Sequence, residues 1–345
     1  ENGANTSFVN RIVDESAPIS DIVADPVATV EAYDSIPHPN IPLPAGIFGQ
    51  ERVNSAGINL ADPARLQVLS RGMNSSIKGV HSAAPIVAGG VMEGEETPSI
   101  DPSDNRRIVG RVMMAGEQVV KTAIDVADAA FPKWEAVPAS RRAEILTRAA
   151  DLFEKNHAEL LGLLVREAGK TIPDGVAELR EAVDFLRYYG HCALRDFETP
   201  SRMPGPTGES NELSLHGRGV FFCVSPWNFP LAIFTGQVAA ALAAGNTVLA
   251  KPAETTSLIA CRAVQLMHEA GVPVAALNFL PGPGREIAGH VLPDPRVAGV
   301  AFTGSTATAQ SINRALANRD GQIAALIAET GGQNAMLVDS SALPE

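Results

Sequence analysis

Asn228 sits in Ser225-Pro226-Trp227-Asn228-Phe229-Pro230, between two prolines that stiffen the backbone. An amide N–H held at so rigid a reversal can stabilise an oxyanion. The plainer alternative is a proline-bounded turn with both rings packed in the core. Lys251-Pro252-Ala253-Glu254-Thr255 sets a cation and a carboxylate where they can grip the two hydroxyls of an adenosine ribose. That carboxylate would repel a 2′-phosphate, which favours NAD over NADP. The alternative is a solvated strand end, with Glu254 on the helix dipole and Thr255 capping. In Phe302-Thr303-Gly304-Ser305-Thr306, Gly304 permits close backbone approach. Ser305 opens a helix whose free N–H groups can hold a pyrophosphate, or it is a simple cap. Glu329, just before Gly331-Gly332, is a candidate general base, or a surface residue in a turn. Pro281-Gly282-Pro283-Gly284 is no dinucleotide fingerprint, because the third glycine it needs is Ile287.

Each of these clusters follows a short apolar run. Such runs, read as buried strands, occur at Val220–Val224, Thr247–Ala250, Leu277–Leu280, Val297–Phe302, Ile323–Ala328 and Ala335–Val338. Helix-length stretches separate most of them, at Ile233–Ala244, Thr256–Ala270, Arg285–Val291 and Thr306–Ala317. Alternating strands and helices predict an α/β fold with a doubly wound parallel sheet, whose ligands sit beyond the carboxyl ends of the strands. Upstream, helical spacing marks one helix around Val119–Ala127. A second is capped by Ser140 and continues through Leu164 to stop at Gly169, and a third runs from about Asp174 to Tyr189. Residues 84–108 read as small strands or a meander. Residues 16–83, rich in Pro, Ser and Asn, read as a linker with a short helix near Pro63–Asn74.

The 345 residues allow roughly two domains of about 150 residues each. A net charge of −12 lacks the basic footprint of nucleic-acid binding, and 45% hydrophobic residues exclude a mainly disordered chain. Three cysteines without CxxC spacing argue against a disulfide framework or a zinc site and fit a reducing, cytosolic compartment. The Glu1 start, without Met or an apolar leader, reads as the end of something longer. The weakly polar run Leu231–Ala250 reads as a buried helix and strand, not a bilayer span.

Taken in order, PWNFP, KPAE, FTGS and E-x-GG resemble the aldehyde dehydrogenase superfamily over about Ala84 to Glu345. Glu167-Ala168-Gly169-Lys170-Thr171, Glu181 through Tyr189, and Glu329-Thr330-Gly331-Gly332-Gln333-Asn334 resemble its L-glutamate γ-semialdehyde dehydrogenase branch. The opening Glu1–Arg11 is similar to the end of a proline dehydrogenase flavin barrel, and the two together resemble the bifunctional enzymes that oxidise proline to glutamate. The resemblance implies a barrel remnant at 1–15, a linker at 16–83 and a truncated NAD-binding part at 84–345. It implies Asn228 and Glu329 as catalytic residues. NAD contacts would come from Ser225, Pro226, Trp227, Lys251, Ala253, Glu254, Gly284, Phe302, Gly304 and Ser305, and substrate contacts from Glu181 and Phe229, with no metal. FAD would belong only to the proline dehydrogenase part. The implied partners are a small aldehyde and further copies in a homo-oligomer, in the cytoplasm. Any membrane association of a fuller protein would not be encoded in this segment.

The same chemistry needs a cysteine thiolate, which the resemblance places a few tens of residues beyond E-x-GG and so outside these residues. Cys223 reads as a small core residue, Cys192 as closing a helix and Cys261 as lying within one, so the segment is expected to be inactive alone. Two rivals differ in class. An acylating relative that passes its product to coenzyme A needs no water-activating base, which counts Glu329 against it. A non-catalytic nucleotide-binding module needs no nucleophile.

Overall fold

The computed structural model describes residues 12–14, 16–34, 41–332 and 335–341. Most of the expected barrel remnant, and Gln333-Asn334 of the last motif, lie outside the described residues. Two short helices, α1 (Ile19–Ile22) and α2 (Pro26–Glu31), bury no residue. Farther along the expected linker the chain is tied down. Ser55 donates its N–H and hydroxyl to Asp184, Ala56 donates its N–H to Glu154, and Arg52 pairs with Asp184 at 2.5 Å. Asp62 then caps α3 (Pro63–Ser76) by accepting the Ala64 N–H at 2.9 Å.

The meander follows as β1 (His81–Ala83), β2 (Ile86–Val87), β3 (Gly90–Val91), β4 (Glu95–Ile100) and β5 (Ile108–Met114). In one small sheet β5 pairs parallel with β1 and antiparallel with β4, while β2 and β3 leave to extend the main sheet. Four helices come next: α4 (Glu117–Glu135), α5 (Ala139–Lys155), α6 (His157–Ala168) and α7 (Ile172–Phe197). Gly169 ends α6 at φ +67°, as its position requires. Ser140 does not cap α5, because Pro138 occupies that position. The Glu198 carboxylate accepts the Ser140 N–H instead, at 2.7 Å. The third helix is much longer than its apolar periodicity implied, so Cys192 lies within it. An exposed hairpin, β6 (Ser201–Met203) with β7 (Asn211–Leu213), leads into the main sheet.

There β8 (Val220–Val224), α8 (Ala232–Ala243), β9 (Thr247–Lys251), α9 (Ser257–Ala270), β10 (Leu277–Phe279), α10 (Gly284–Val291), β11 (Val297–Thr303), α11 (Thr306–Ala317) and β12 (Ala325–Glu329) alternate along the chain. The seven strands run in the order β12-β11-β8-β9-β10-β2-β3, the first five mutually parallel. Winding therefore reverses at β8, whose neighbours are β9 on one side and β11 on the other. Side chains alternate in destination. Phe221 and Cys223 join a core with α5, α7, α8 and α9, while Val220 and Phe222 join one with α4, α10 and α11. Burial on both faces is why these strands read as unbroken apolar runs. Trp134 packs into the first core and donates its ring N–H to the Leu242 carbonyl at 3.2 Å.

Two expected strands depart from this. β12 forms, but Ile327 is exposed because this strand is the sheet's edge among the described residues. Ala335–Val338 is not a strand, and its Met336, Leu337 and Val338 are exposed. No helix among the described residues is long and apolar enough to cross a membrane.

Candidate functional site

The carboxyl ends of β8, β9, β11 and β12 open onto one cleft of about 1320 Å³. Its position at the reversal in strand order is where open α/β sheets bind ligands. From β8, Ser225 donates its N–H to the Lys251 carbonyl at 3.2 Å, which ties the first two strand ends together. Its hydroxyl is buried at the cleft wall with no partner among the described residues. Pro226, Trp227 and Asn228 continue the wall. Trp227 is 65% exposed and Phe229 38%, so the rings are not packed in the core. Asn228 is exposed at the cleft, with its amide free to face a ligand.

At the end of β9, Lys251 is buried rather than solvated. Burial pushes its ammonium down to about 8, against the pull of the Glu254 charge. It donates to the Pro252 carbonyl at 2.8 Å. Ala253 and Glu254 line the cleft beside it. Glu254 accepts the Gly284 N–H at 3.1 Å, and a Cβ on Gly284 would stand 3.5 Å from the Lys251 Nζ. Lys251, Glu254 and Gly284 are thus one cluster. Thr255 does not cap α9; it lies in a 3-10 turn over Glu254–Thr256. The α9 N-terminus is capped by Glu167 from α6, whose oxygens accept the Leu258 and Ile259 N–H groups at 2.7 and 2.9 Å.

At β11, Phe302, Gly304 and Ser305 line the cleft. A Cβ on Gly304 would stand 2.6 Å from the Phe302 ring, so a side chain here would have to push that ring aside. Ser305 caps α11 by accepting the Thr308 N–H at 3.2 Å. The Gly304 N–H reaches the Glu329 carbonyl at 3.0 Å, which brings the end of β12 alongside and Glu329 into the cleft. Opposite, Gln237 donates to Val224 O and Thr303 Oγ1 and leaves its own carbonyl oxygen unpartnered among the described residues.

Glu181 and Phe229 lie apart from the cleft wall, in a cluster built by α7. Lys170 stands 4.1 Å from the Phe229 ring centre and 2.8 Å from Glu178. Partial burial, then the Glu178 charge, push the Glu181 carboxyl above its ordinary value. Glu178, 1% exposed, accepts the Leu231 and Ala232 N–H groups at 2.8 and 3.3 Å and so caps α8. No role for Lys170, Glu178 or Gln237, nor the capping by Glu167, was foreseen. The signal was present: Glu167 and Glu178 fall on the apolar stripes of their helices, beside Leu164 and beside Leu179 and Ala182. An acid on such a face needs buried donors.

None of the three cysteines lines the cleft. Burial pushes the Cys223 thiol up to about 12 and the Cys261 thiol up to about 11, which makes both poor nucleophiles.

Strand order and the cleft at the switch point define a doubly wound α/β protein. Residues 91–343 match the Aldehyde dehydrogenase family, and the chain belongs to that family. It is 49% identical to the bifunctional protein PutA of Salmonella typhimurium over 354 aligned positions, covering 100% of this chain and 26% of that protein. It is 39% identical to the 1-pyrroline-5-carboxylate dehydrogenase of Anoxybacillus flavithermus, over 75% of this chain and 51% of that one. The structure of proline utilization A from Bdellovibrio bacteriovorus superposes with a TM-score of 0.84 at 29% identity, over 96% of this chain and 34% of that one. The chain therefore spans about a quarter of the length of its bifunctional relative.

The family implies a nicotinamide dinucleotide, NAD or NADP. The residues present fit one. The cleft is roomy, the buried Ser225 hydroxyl and the Gln237 oxygen lack partners among the described residues, and Gly304 leaves the backbone bare beside the start of α11.

Proposed function

We propose that this chain is the cofactor-binding part of an NAD-dependent L-glutamate γ-semialdehyde dehydrogenase within a bifunctional proline-oxidising protein. The observation that carries the reading is the convergence of Asn228, Lys251, Glu254, Ser305 and Glu329 on one cleft from four parallel strand ends. Alignment with the bifunctional relative runs through the whole chain, whereas the monofunctional one covers three quarters. That difference supports a proline dehydrogenase part, with its FAD, outside these residues. Three free cysteines support a reducing, cytoplasmic setting.

Lys251 and Glu254 would hold the adenosine ribose. The start of α11 would hold the pyrophosphate, with Ser225, Pro226, Trp227, Ala253, Gly284, Phe302 and Gly304 shaping the walls. Once bound, the nicotinamide supplies a hydride acceptor. The attacking thiolate comes from outside these residues. Asn228 donates its side-chain N–H to the oxyanion that forms when sulfur adds to the aldehyde carbon. Glu329 takes a proton from the water that releases glutamate. Glu181, and Phe229 next to Asn228, would meet the substrate.

Stopped-flow NADH absorbance on the full-length protein tests these roles. Asn228→Ala should depress the first turnover, with kcat about 10²–10³ lower. Glu329→Gln should leave a burst followed by a slow steady state. Wild-type steady-state turnover in Glu329→Gln would sink the base assignment.

A further inference from the structure

Asn228 is exposed in the loop that leaves β8, and its side chain makes no hydrogen bond among the described residues. The surrounding contacts supply that support from a distant helix. Glu178 lies on the buried stripe of α7 and caps α8, the helix that begins two residues after Phe229-Pro230. Lys170 stands at the other end of the same pair. The turn at Gly169 and the bond from the Lys170 N–H to the Leu164 carbonyl at 3.1 Å fix its backbone. Its ammonium is 2.8 Å from Glu178 and 4.1 Å from the centre of the Phe229 ring, the ring next to Asn228. A single cation thus touches both the acid that holds the start of α8 and the aromatic face on the loop.

We infer that Lys170 and Glu178 form a clamp that positions the Asn228 loop for oxyanion donation, acting as positioning residues rather than catalytic ones. The physical basis is an ion pair and a cation over a ring that share one ammonium. A cation over an aromatic face and a partly desolvated ion pair are each stronger than their exposed counterparts. Small displacements of a positioned donor cost rate out of proportion to their size. The clamp gives the loop a rigidity that Pro226 and Pro230 alone do not, since neither proline restrains the side chains between them. The inference rests on the oxyanion role proposed above.

Two measurements on the full-length protein separate the clamp from that role. Hydrogen exchange of the peptide spanning 227–232 reads the loop without any turnover. Lys170→Met should speed exchange of the Leu231 and Ala232 amides about tenfold, the equivalent of one lost charge-assisted contact. Lys170→Arg, which keeps the charge over Phe229 and beside Glu178, should restore wild-type exchange. In steady-state kinetics Lys170→Met should lower kcat about tenfold or more while the KM for NAD stays within about twofold, because the proposed ribose site lies apart from this cluster. In an Asn228→Ala background the same substitution should have almost no further effect on kcat. Unchanged exchange in Lys170→Met overturns the clamp whatever happens to turnover, and so does a fully additive effect on kcat in the double variant. A wild-type protein that never reduces NAD with the aldehyde would instead remove the functional reading, while the exchange result would still decide the clamp.

Discussion

Four helices follow the parallel strands, and their N-termini are treated in two ways. Three are plugged by carboxylates: α8 by Glu178, α9 by Glu167 and α10 by Glu254, which accepts the Gly284 N–H. The fourth, α11, has only its own Ser305 as a cap. Every helix start presents N–H groups without intrahelical acceptors and a partial positive charge. At α8 and α9 the protein satisfies these groups with buried acids from the α6–α7 pair and so closes them to ligands. At α11 a neutral hydroxyl satisfies one N–H and leaves the field available to an anion. The difference teaches which helix start keeps an open anion seat, the one proposed above for a pyrophosphate, and it does so without reference to a sequence fingerprint that this chain lacks.

The largest expected contrast is in stability. Glu167→Ala strands the buried Leu258 and Ile259 N–H groups, at about 1–3 kcal/mol each. Ser305→Ala should cost only about 1 kcal/mol. Thermal unfolding of the two variants checks the order, and equal losses would erase the distinction between a plugged start and an open one.

A pH series sharpens the same point. Burial pushes Glu167 up to about 7 from 4.5, against the pull of its two backbone N–H groups and Ser99. A folded-state value above the unfolded one favours the fold while the acid is protonated. That contribution is full below about 4.5 and is lost as pH rises through about 7. It amounts to on the order of 3 kcal/mol. Glu167→Gln should flatten the stability profile in this window, and an unchanged profile would contradict the assignment.

Plugging α11 converts one class of helix start into the other. Ser305→Asp keeps a good cap but places a carboxylate at the proposed pyrophosphate seat, so NAD should bind about tenfold more weakly with little change in melting temperature. Full affinity in that variant, read by titration calorimetry, would move the pyrophosphate elsewhere. The smallest effect concerns Glu254. Glu254→Ala should narrow the preference for NAD over NADP by a few-fold, about 1 kcal/mol, as measured by paired titrations. Equal binding of both cofactors by the wild type would remove the argument.

Much of this arrangement is legible in the residues. The strand Val220–Val224 and the helix Thr306–Ala317 occur where their apolar spacing puts them, because both depend on local periodicity that burial on the sheet simply ratifies. Asn228, Glu254, Ser305 and Glu329 stand out by their places after strands, and the fold brings them to one cleft. What stayed hidden is non-local. Nothing near Leu258 announces that Glu167, far back in the chain, will accept its N–H, nor does anything near Ser140 announce that Glu198 will accept its own. The apolar run before Glu329 implied a buried strand, but apolarity does not say what covers an edge.

The chain has two tryptophans, and their surroundings could hardly differ. Trp134 is 3% exposed with its ring N–H bonded to a carbonyl, whereas Trp227 is 65% exposed on the wall of the cleft. Their light emission should therefore separate by colour and by access: a blue, unquenchable component from the packed ring and a red, acrylamide-sensitive one from the open ring. Because the open ring neighbours Asn228, dinucleotide arriving in the cleft would dim one component and spare the other. Occupancy could then be followed optically from this part of the protein before any aldehyde is oxidised.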